Sequence, residues 1–442
     1  MLTSAEKLFS IFLQHPHIST DTRKVQANDL YFALKGENFD GNVYAAQALE
    51  KGAAFVVVDN PAFFAENDAR YLYVENSLKA LQTLGRDYRR TFEIPFLGIT
   101  GSNGKTTSKE LIASVLRTEK KIHATQGNLN NHIGVPLTLL AMPKNTEIAV
   151  IEMGANQPDD IKELCEIAEP TQGLITNIGK AHLERLINID GVQQVKGQLF
   201  EAVALQQGAI FVNETEERVV AEGKKVADRI TFGAKGSDFD MNIVSHSAEG
   251  MEIQLFCKHW QHPEIFNSQL SGSYNALNIL AAVAVGDYFG ISIEGIKKGI
   301  YNYVPTNHRS QWLQKGDLRM LIDAYNANPS SMKAAVSNIF EENTGKKIGL
   351  IVGDMFELGA ESEAEHRALG RHIAQYSPAF VALLGKEMRF AEAEIKAFPH
   401  IYSAEVEAAK TSILAQLKEN EVEILLIKGS RGMALERILA WF

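Results

Sequence analysis

The chain is 442 residues long, carries a formal net charge of −10, and is 45% hydrophobic and 22% charged. That balance is ordinary for a folded protein of about three domains at about 150 residues each, and it excludes a disordered chain. The acidic excess argues against a nucleic-acid or anionic-membrane binder, and two cysteines, Cys165 and Cys257, exclude a disulfide framework and a cysteine-based zinc site.

The first residues carry a capping-box pattern, Thr3 with Glu6, ahead of an apolar face at Leu8, Phe9, Phe12 and Leu13, which predicts a helix. They lack the basic start and unbroken apolar run of a signal peptide, and no stretch reaches the length of a membrane span. A cytoplasmic protein without stable membrane insertion is expected. Strands are predicted near Leu30–Leu34 and Ala54–Val58, completing a small α/β region to about residue 93. Ile94–Thr100 reads as a buried strand and Lys105–Arg117 as a helix with Leu111, Ile112, Val115 and Leu116 on one side. Further strands at Ile148–Met153, Gly173–Ile178 and Ala209–Asn213 alternate with helical patterns, which argues for a mostly parallel sheet covered by helices. Met251, Ile253, Leu255 and Cys257 alternate with polar neighbours, the mark of an antiparallel excursion. After a hinge at Tyr303–His308 a second alternating series begins, with strands at Met320–Ala324, Ile348–Val352, Phe380–Leu384 and Glu423–Ile427. The fold class is α/β in three domains.

Gly98-Ile-Thr-Gly-Ser-Asn-Gly-Lys-Thr-Thr107 joins the predicted strand to the predicted helix. Glycines let backbone N–H groups turn toward phosphate oxygens, and a helix N-terminus adds positive partial charge. Lys105 can then reach the β- and γ-phosphates of a nucleotide and the Thr106 hydroxyl can ligate Mg²⁺. Ile99 stands where the first Walker A glycine would fall. Glu152 ends an apolar strand, where a hard carboxylate oxygen would suit Mg²⁺; the plainer reading is an exposed strand-end glutamate. Asn275 and Asn278, after Gly272, read as possible helix caps.

Thr100–Thr107 resembles the nucleotide loop of the Mur ligase family and of folylpolyglutamate synthetase, and the resemblance extends over nearly the whole chain. Asp21-Thr-Arg23, Asp29–Gly36 and Asp40-Gly41 resemble the UDP-binding first domain of one branch of the family, and Gly127–Asn131 with Ile133–Pro136 resembles the segment lining its UDP-sugar site. Asp323-Ala-Tyr-Asn-Ala-Asn-Pro-Ser-Ser-Met332 resembles the branch that adds D-alanyl-D-alanine to a UDP-N-acetylmuramoyl-tripeptide, and the Asp-Asn-Pro-Arg motif of the diamino-acid-adding branch is missing. Gly353-Asp-Met-Phe-Glu-Leu-Gly359 and Lys428-Gly-Ser-Arg-Gly432 also resemble the former; the second is an anion-binding nest or a plain strand–helix turn.

The resemblance implies a UDP-substrate-binding domain at 1–93, a central P-loop ATPase at 94–306 and a Rossmann-like ligase domain at 307–442. It implies ATP with Gly101, Ser102, Asn103, Gly104, Lys105, Thr106, Thr107, Asn275, Arg309, Asp323 and Asn326 at the nucleotide. Mg²⁺ would be held by Thr106, Glu152, His182 and an N6-carboxylated Lys196. UDP-N-acetylmuramoyl-tripeptide and D-alanyl-D-alanine would meet Thr22, Arg23, Asn128, Asn130, Asn131 and Asn328. Lys105, Lys196, His182 and Arg309 would carry the chemistry, in a chain expected to be a monomer. Without the resemblance, His182 reads as structural and Lys196 as a solvated helical lysine. Asn42 and His132 depart from the family's pattern (His and an acidic residue), as does Asp159-Asp160. His366 reads as substrate-facing or as a helix-surface residue. Alternatives are a diamino-acid-adding or folylpolyglutamate-type ligase, and a P-loop nucleotide switch.

Overall fold

A computed structural model of the chain describes residues 2–247, 249–305 and 310–442. Among the described residues the strands build three principal sheets, each covered by helices. The first has four parallel strands, in the order Ile18–Ser19, Leu30–Phe32, Phe55–Val58, Tyr71–Tyr73. Side chains alternate across it: Tyr31, Val56 and Val58 enter one apolar cluster, and Leu30, Phe32 and Val57 enter another. Period-two alternation with both faces apolar is what a sheet covered on both sides requires. The helix Ala5–Gln14 precedes it, capped by Ser4 and not by Thr3; the Ser4 side chain accepts from Lys7 N, while Thr3 N donates to the Tyr73 carbonyl at 2.7 Å.

The central sheet has nine strands. Ile122–Ala124, Ile148–Glu152, Phe96–Thr100, Gln172–Ile175, Ala209–Asn213 and Asp228–Phe232 run parallel. Phe239–Ser247, Gly250–Cys257 and Glu264–Ser268 form the antiparallel end, as the alternation at Met251–Cys257 anticipated. The third sheet has six strands; Leu318–Asp323, Ile424–Lys428, Ile348–Gly353, Phe380–Leu384 and His400–Ser403 are parallel, and Gln311–Lys315 is an antiparallel edge. Of the expected hinge, residues 306–308 lie outside the described residues. No described helix is long and apolar enough to cross a membrane.

The helix after the phosphate loop, Lys105–Leu116, is buried nearly all round: Ser108, Lys109, Leu111, Ile112, Ala113, Val115 and Leu116 are inaccessible. Two helices cover its outer side, the apolar Ala276–Tyr288 and the amphipathic Ile293–Asn302. Ile293–Asn302 can lie this close because residue 299 is glycine. A Cβ there would come within 2.4 Å of Val115 Cα, and the Ser114 hydroxyl donates to the Gly299 carbonyl at 2.6 Å. Gly299→Val must push the covering helix off the one that carries the phosphate loop. Overpacking of this kind costs about 1–3 kcal/mol, so denaturant unfolding should show that loss, whereas unchanged stability would mean that the two helices are not in backbone contact.

Candidate active site

The phosphate loop is laced to the exit of the neighbouring strand. Gly101 has φ +148, and a Cβ on it would sit 1.9 Å from Thr176 Oγ1, so glycine is required for closeness as well as for conformation. Thr176 Oγ1 donates to the Asn103 carbonyl at 2.6 Å, and Asn177 donates to the same oxygen at 3.0 Å while accepting from Asn103 N at 2.9 Å. Ser102 Oγ donates to the Gly179 carbonyl and accepts from Gly179 N, both at 2.9 Å. The loop's shape is therefore held by protein contacts. Lys105 Nζ folds back to donate to the Gly101 carbonyl at 2.6 Å. Gly104 is the N-cap of the helix and offers no side-chain acceptor, and a helix N-terminus of that kind favours an anion.

Beside the loop, Glu152 is 1% exposed. Its Oε1 accepts from Thr106 Oγ1 at 3.1 Å and from Asn130 Nδ2 at 2.8 Å. Its Oε2 is buried without a hydrogen-bond partner, with the Lys109 ammonium 4.0 Å away. Lys109 is itself wholly buried, donating to the Thr125 carbonyl at 2.6 Å and pairing with Glu110 at 2.8 Å. A buried carboxylate oxygen without a donor is costly, and with the Thr106 hydroxyl beside it the oxygen chemistry fits a hard divalent cation. Among the described residues no three His, Cys, Asp or Glu side chains gather as a ready-made metal site. Such an ion would therefore draw most of its ligands from phosphate oxygens and water, as magnesium does.

Lys196 is 1% exposed, in the helix Ile189–Leu205. Burial, and then the nearby Lys105 ammonium, push its amine well below the usual lysine range, so the expectation of a solvated helical lysine fails. His182, left-handed at φ +55, pairs through Nδ1 with Glu357 Oε2 from the third sheet's side.

The phosphate loop, Glu152 and His182 share one cavity of about 710 Å³, whose lining does not include Lys196. The phosphate loop, Asn128, Asn130, Asn131, Glu152 and His182 line it from the central sheet's side, and Asp323, Asn326, Asn328 and Lys428 from the third's. Asp323 accepts from Ser310 N at 3.3 Å and forms an ion pair with the buried Lys428. Lys428 also donates to the Asn326 carbonyl at 3.2 Å, which places it as a brace inside the fold. Asn328 caps the helix Pro329–Glu342 in a capping box with Ser331, and its Nδ2 donates to Asn103 Oδ1 in the phosphate loop at 2.7 Å. At the other end of that helix, Glu342 Oε1 accepts from Gly272 N at 2.7 Å and Asn338 Oδ1 from Ser273 N at 3.0 Å. Asn275 and Asn278 are not side-chain caps. Asn275 donates to the Ser271 carbonyl at 2.7 Å and accepts from Asn278 at 2.9 Å, and Asn278 Oδ1 accepts from Ser108 Oγ at 3.0 Å.

Thr22 and Arg23 are not among the residues lining this cavity; Arg23 is exposed and paired with Asp21 at 2.8 Å, and the Thr22 carbonyl accepts from Lys51. Arg309 lies outside the described residues. His366 is neither surface nor substrate-facing: it is fully buried, with its ring bonded to Met355 N and the Ser362 carbonyl. Asn42 is structural, buried between Asp40 and Asp59 with bonds of 2.7 and 2.9 Å. Lys109 was missed by sequence reasoning. Its signal was its place one turn beyond Lys105, on the same face of a helix.

Known proteins carry the same organisation. The Mur ligase middle domain matches residues 99–286, the Mur ligase glutamate ligase domain 308–431, and the Mur ligase family catalytic domain 16–89. The UDP-N-acetylmuramoyl-tripeptide–D-alanyl-D-alanine ligase of Bacillus subtilis is 36% identical, over 96% of this chain and 92% of its own length. A crystal structure of MurF from Acinetobacter baumannii superimposes with a TM-score of 0.88 at 30% identity, covering 96% of this chain and 92% of that one. The MurF ligase of Thermotoga maritima in complex with ADP gives 0.85 at 25% identity, covering 97% of each. With its three helix-covered sheets and its shared cavity, the chain belongs to the Mur ligase family and stands within it beside the tripeptide–D-alanyl-D-alanine ligases.

Proposed function

We propose that this chain is the cytoplasmic, ATP-dependent ligase that joins D-alanyl-D-alanine to UDP-N-acetylmuramoyl-tripeptide in peptidoglycan precursor synthesis, acting as a monomer. One observation carries the chemistry. An uncapped phosphate loop, a buried carboxylate with an unpartnered oxygen, and the Asp323–Asn328 segment face a single cavity. Carboxylate does not react with an amine unaided. The tripeptide's terminal carboxylate takes the γ-phosphoryl group, forming an acyl phosphate and ADP; the dipeptide amine adds to its carbonyl carbon, and the tetrahedral adduct expels inorganic phosphate to leave the amide.

The residues divide the work as follows. Gly101, Ser102, Asn103, Gly104, Lys105, Thr106 and Thr107 cradle the phosphates, with Arg309 and Lys105 bringing positive charge to the γ-phosphate. Asn275 borders the nucleotide, Asp323 takes the ribose hydroxyls and Asn326 lies at the adenine. The Asp323 carboxylate accepts from Ser310 N and Lys428 and still has lone pairs to offer. Thr22, Arg23, Asn128, Asn130 and Asn131 serve the UDP-sugar peptide, and Asn328 the dipeptide. Thr106, Glu152, His182 and a carbamylated Lys196 would hold magnesium. When bound, the cation screens the γ-phosphate from the peptide carboxylate and withdraws charge from the transferring group. The working units are residues 1–93 for UDP-substrate, 94–306 for ATP and 307–442 for ligation.

Two measurements test this. ADP release should require the tripeptide and D-alanyl-D-alanine together. Equal turnover with the dipeptide precursor and a free diamino acid would move the chain to the diamino-acid-adding branch, and nucleotide hydrolysis indifferent to both substrates would make it a switch.

The second concerns Lys196. Only a neutral amine reacts with CO₂, and a side chain buried beside the Lys105 ammonium is disposed to be neutral. Lys196→Ala should lower kcat at least roughly 10–100-fold, the range for losing a group that supports a metal site. UDP-tripeptide binding should persist, and added short carboxylates should restore part of the rate. Near-normal turnover of the variant would remove Lys196 from the metal site.

A further inference from the structure

The sequence motif Gly353–Gly359 has no part in the chemistry above, yet it reaches His182. We infer that Glu357, carried by this loop, is a positioning residue that sets the imidazole of His182 for the metal–phosphate site, so that the site is complete only while the third sheet's domain is docked. The inference rests on the magnesium site proposed above and deepens it.

His182 lies beyond the strand Gln172–Ile175 of the central sheet, and Glu357 follows the strand Ile348–Gly353 of the third. The Glu357 carboxylate pairs with His182 Nδ1. The backbones meet as well: Glu184 N donates to the Glu357 carbonyl at 3.0 Å. Lys180 and Glu365 form a second ion pair across the same junction at 2.5 Å. Both paired residues have left-handed backbones, His182 at φ +55 and Glu357 at φ +62. Non-glycine residues keep that conformation only where surrounding contacts impose it. The loop supplies such contacts: Met355 and Leu358 are buried, and Phe356 N donates to Ser430 Oγ at 2.9 Å.

Stability does not account for the pair. The Glu357 side chain is 50% exposed, and ion pairs open to water contribute little to folding. Orientation does account for it. With Nδ1 committed to a carboxylate, the ring plane is set and Nε2 is the nitrogen left for a ligand in the cavity that His182 lines. A carboxylate behind an imidazole also raises its strength as a metal ligand. Because this carboxylate comes from the other domain, docking and ligand orientation are one event.

The test uses the full chain and the variants Glu357→Ala, Glu357→Gln, His182→Ala and the double alanine. Nitrogen NMR of ¹⁵N-histidine-labelled protein, with the His182 signals identified by their loss in His182→Ala, should show Nδ1 protonated and Nε2 bare in the native chain. Both Glu357 variants should shift the tautomer toward Nε2–H. The magnesium concentration for half-maximal ADP release should rise roughly 10–100-fold in Glu357→Ala, with UDP-tripeptide binding unchanged, and the double variant should match His182→Ala alone. An unaltered tautomer, or losses that multiply in the double variant, would reduce Glu357 to a surface ion pair. The tautomer is read without turnover, so failure of this inference and failure of the proposed reaction are told apart.

Discussion

The Glu152 carboxylate is almost wholly buried at the wall of the cavity, one oxygen shared by Thr106 and Asn130 and the other without a donor. A charge in such a place is tolerated only if the surroundings are built for it. Much of the central domain answers to that requirement. The Ile148–Glu152 strand delivers the carboxylate at its end, and the phosphate-loop helix brings a hydroxyl and, one turn later, the buried Lys109. The covering helices Ala276–Tyr288 and Ile293–Asn302 shut solvent away from that helix's far side. The same arrangement leaves an oxygen-lined place for a divalent cation next to a loop shaped for phosphate, so the local electrostatic strain and the chemistry share one cause.

How much of this could be read from the residues depended on whether the cause was local. Strands buried on both faces announced themselves as apolar runs, and Ala209–Asn213 and Phe380–Leu384 fall where expected. Edge strands did not. Gln311–Lys315 and His400–Ser403 are only partly buried and mix polar with apolar side chains, so no period stands out. The phosphate loop was legible because its glycines, lysine and threonine are consecutive. Lys109 was not, because a lysine becomes remarkable only once tertiary packing has buried it. Glu357 was not, because its partner is 175 residues away in the chain. Asn275 and Asn278 were read as caps from their position after a glycine, but their side chains tie the turn at Ser271 to the phosphate-loop helix at Ser108, a geometry that spacing does not encode. Asn42 departs from the family's histidine and still makes the buried bonds that hold its turn to Asp59.

The cavity is a joint property of two domains. The central one supplies the phosphate loop and the carboxylate; the third supplies Asp323, Asn326 and Asn328, and braces the first two with a lysine, Lys428, that a sequence reading assigns to an anion nest or a plain turn. Pairing that lysine with Asp323 uses its charge inside the fold and keeps the aspartate in place at the end of its strand. The family's division into domains thus puts a helix-covered sheet on each side and leaves the reacting space between them.

The helix Pro329–Glu342 touches the central domain at both of its ends, through Asn328 on the phosphate loop and through Asn338 and Glu342 on the loop before Ala276. Its 14 residues span roughly 21 Å at about 1.5 Å each, and a packed helix of that length does not bend appreciably under thermal load. It behaves as a strut held at both ends, so moving the third domain bodily away from the central one strains both contacts together. The two sides of the nucleotide cavity are mechanically in series, and their opening is expected to be concerted and not stepwise.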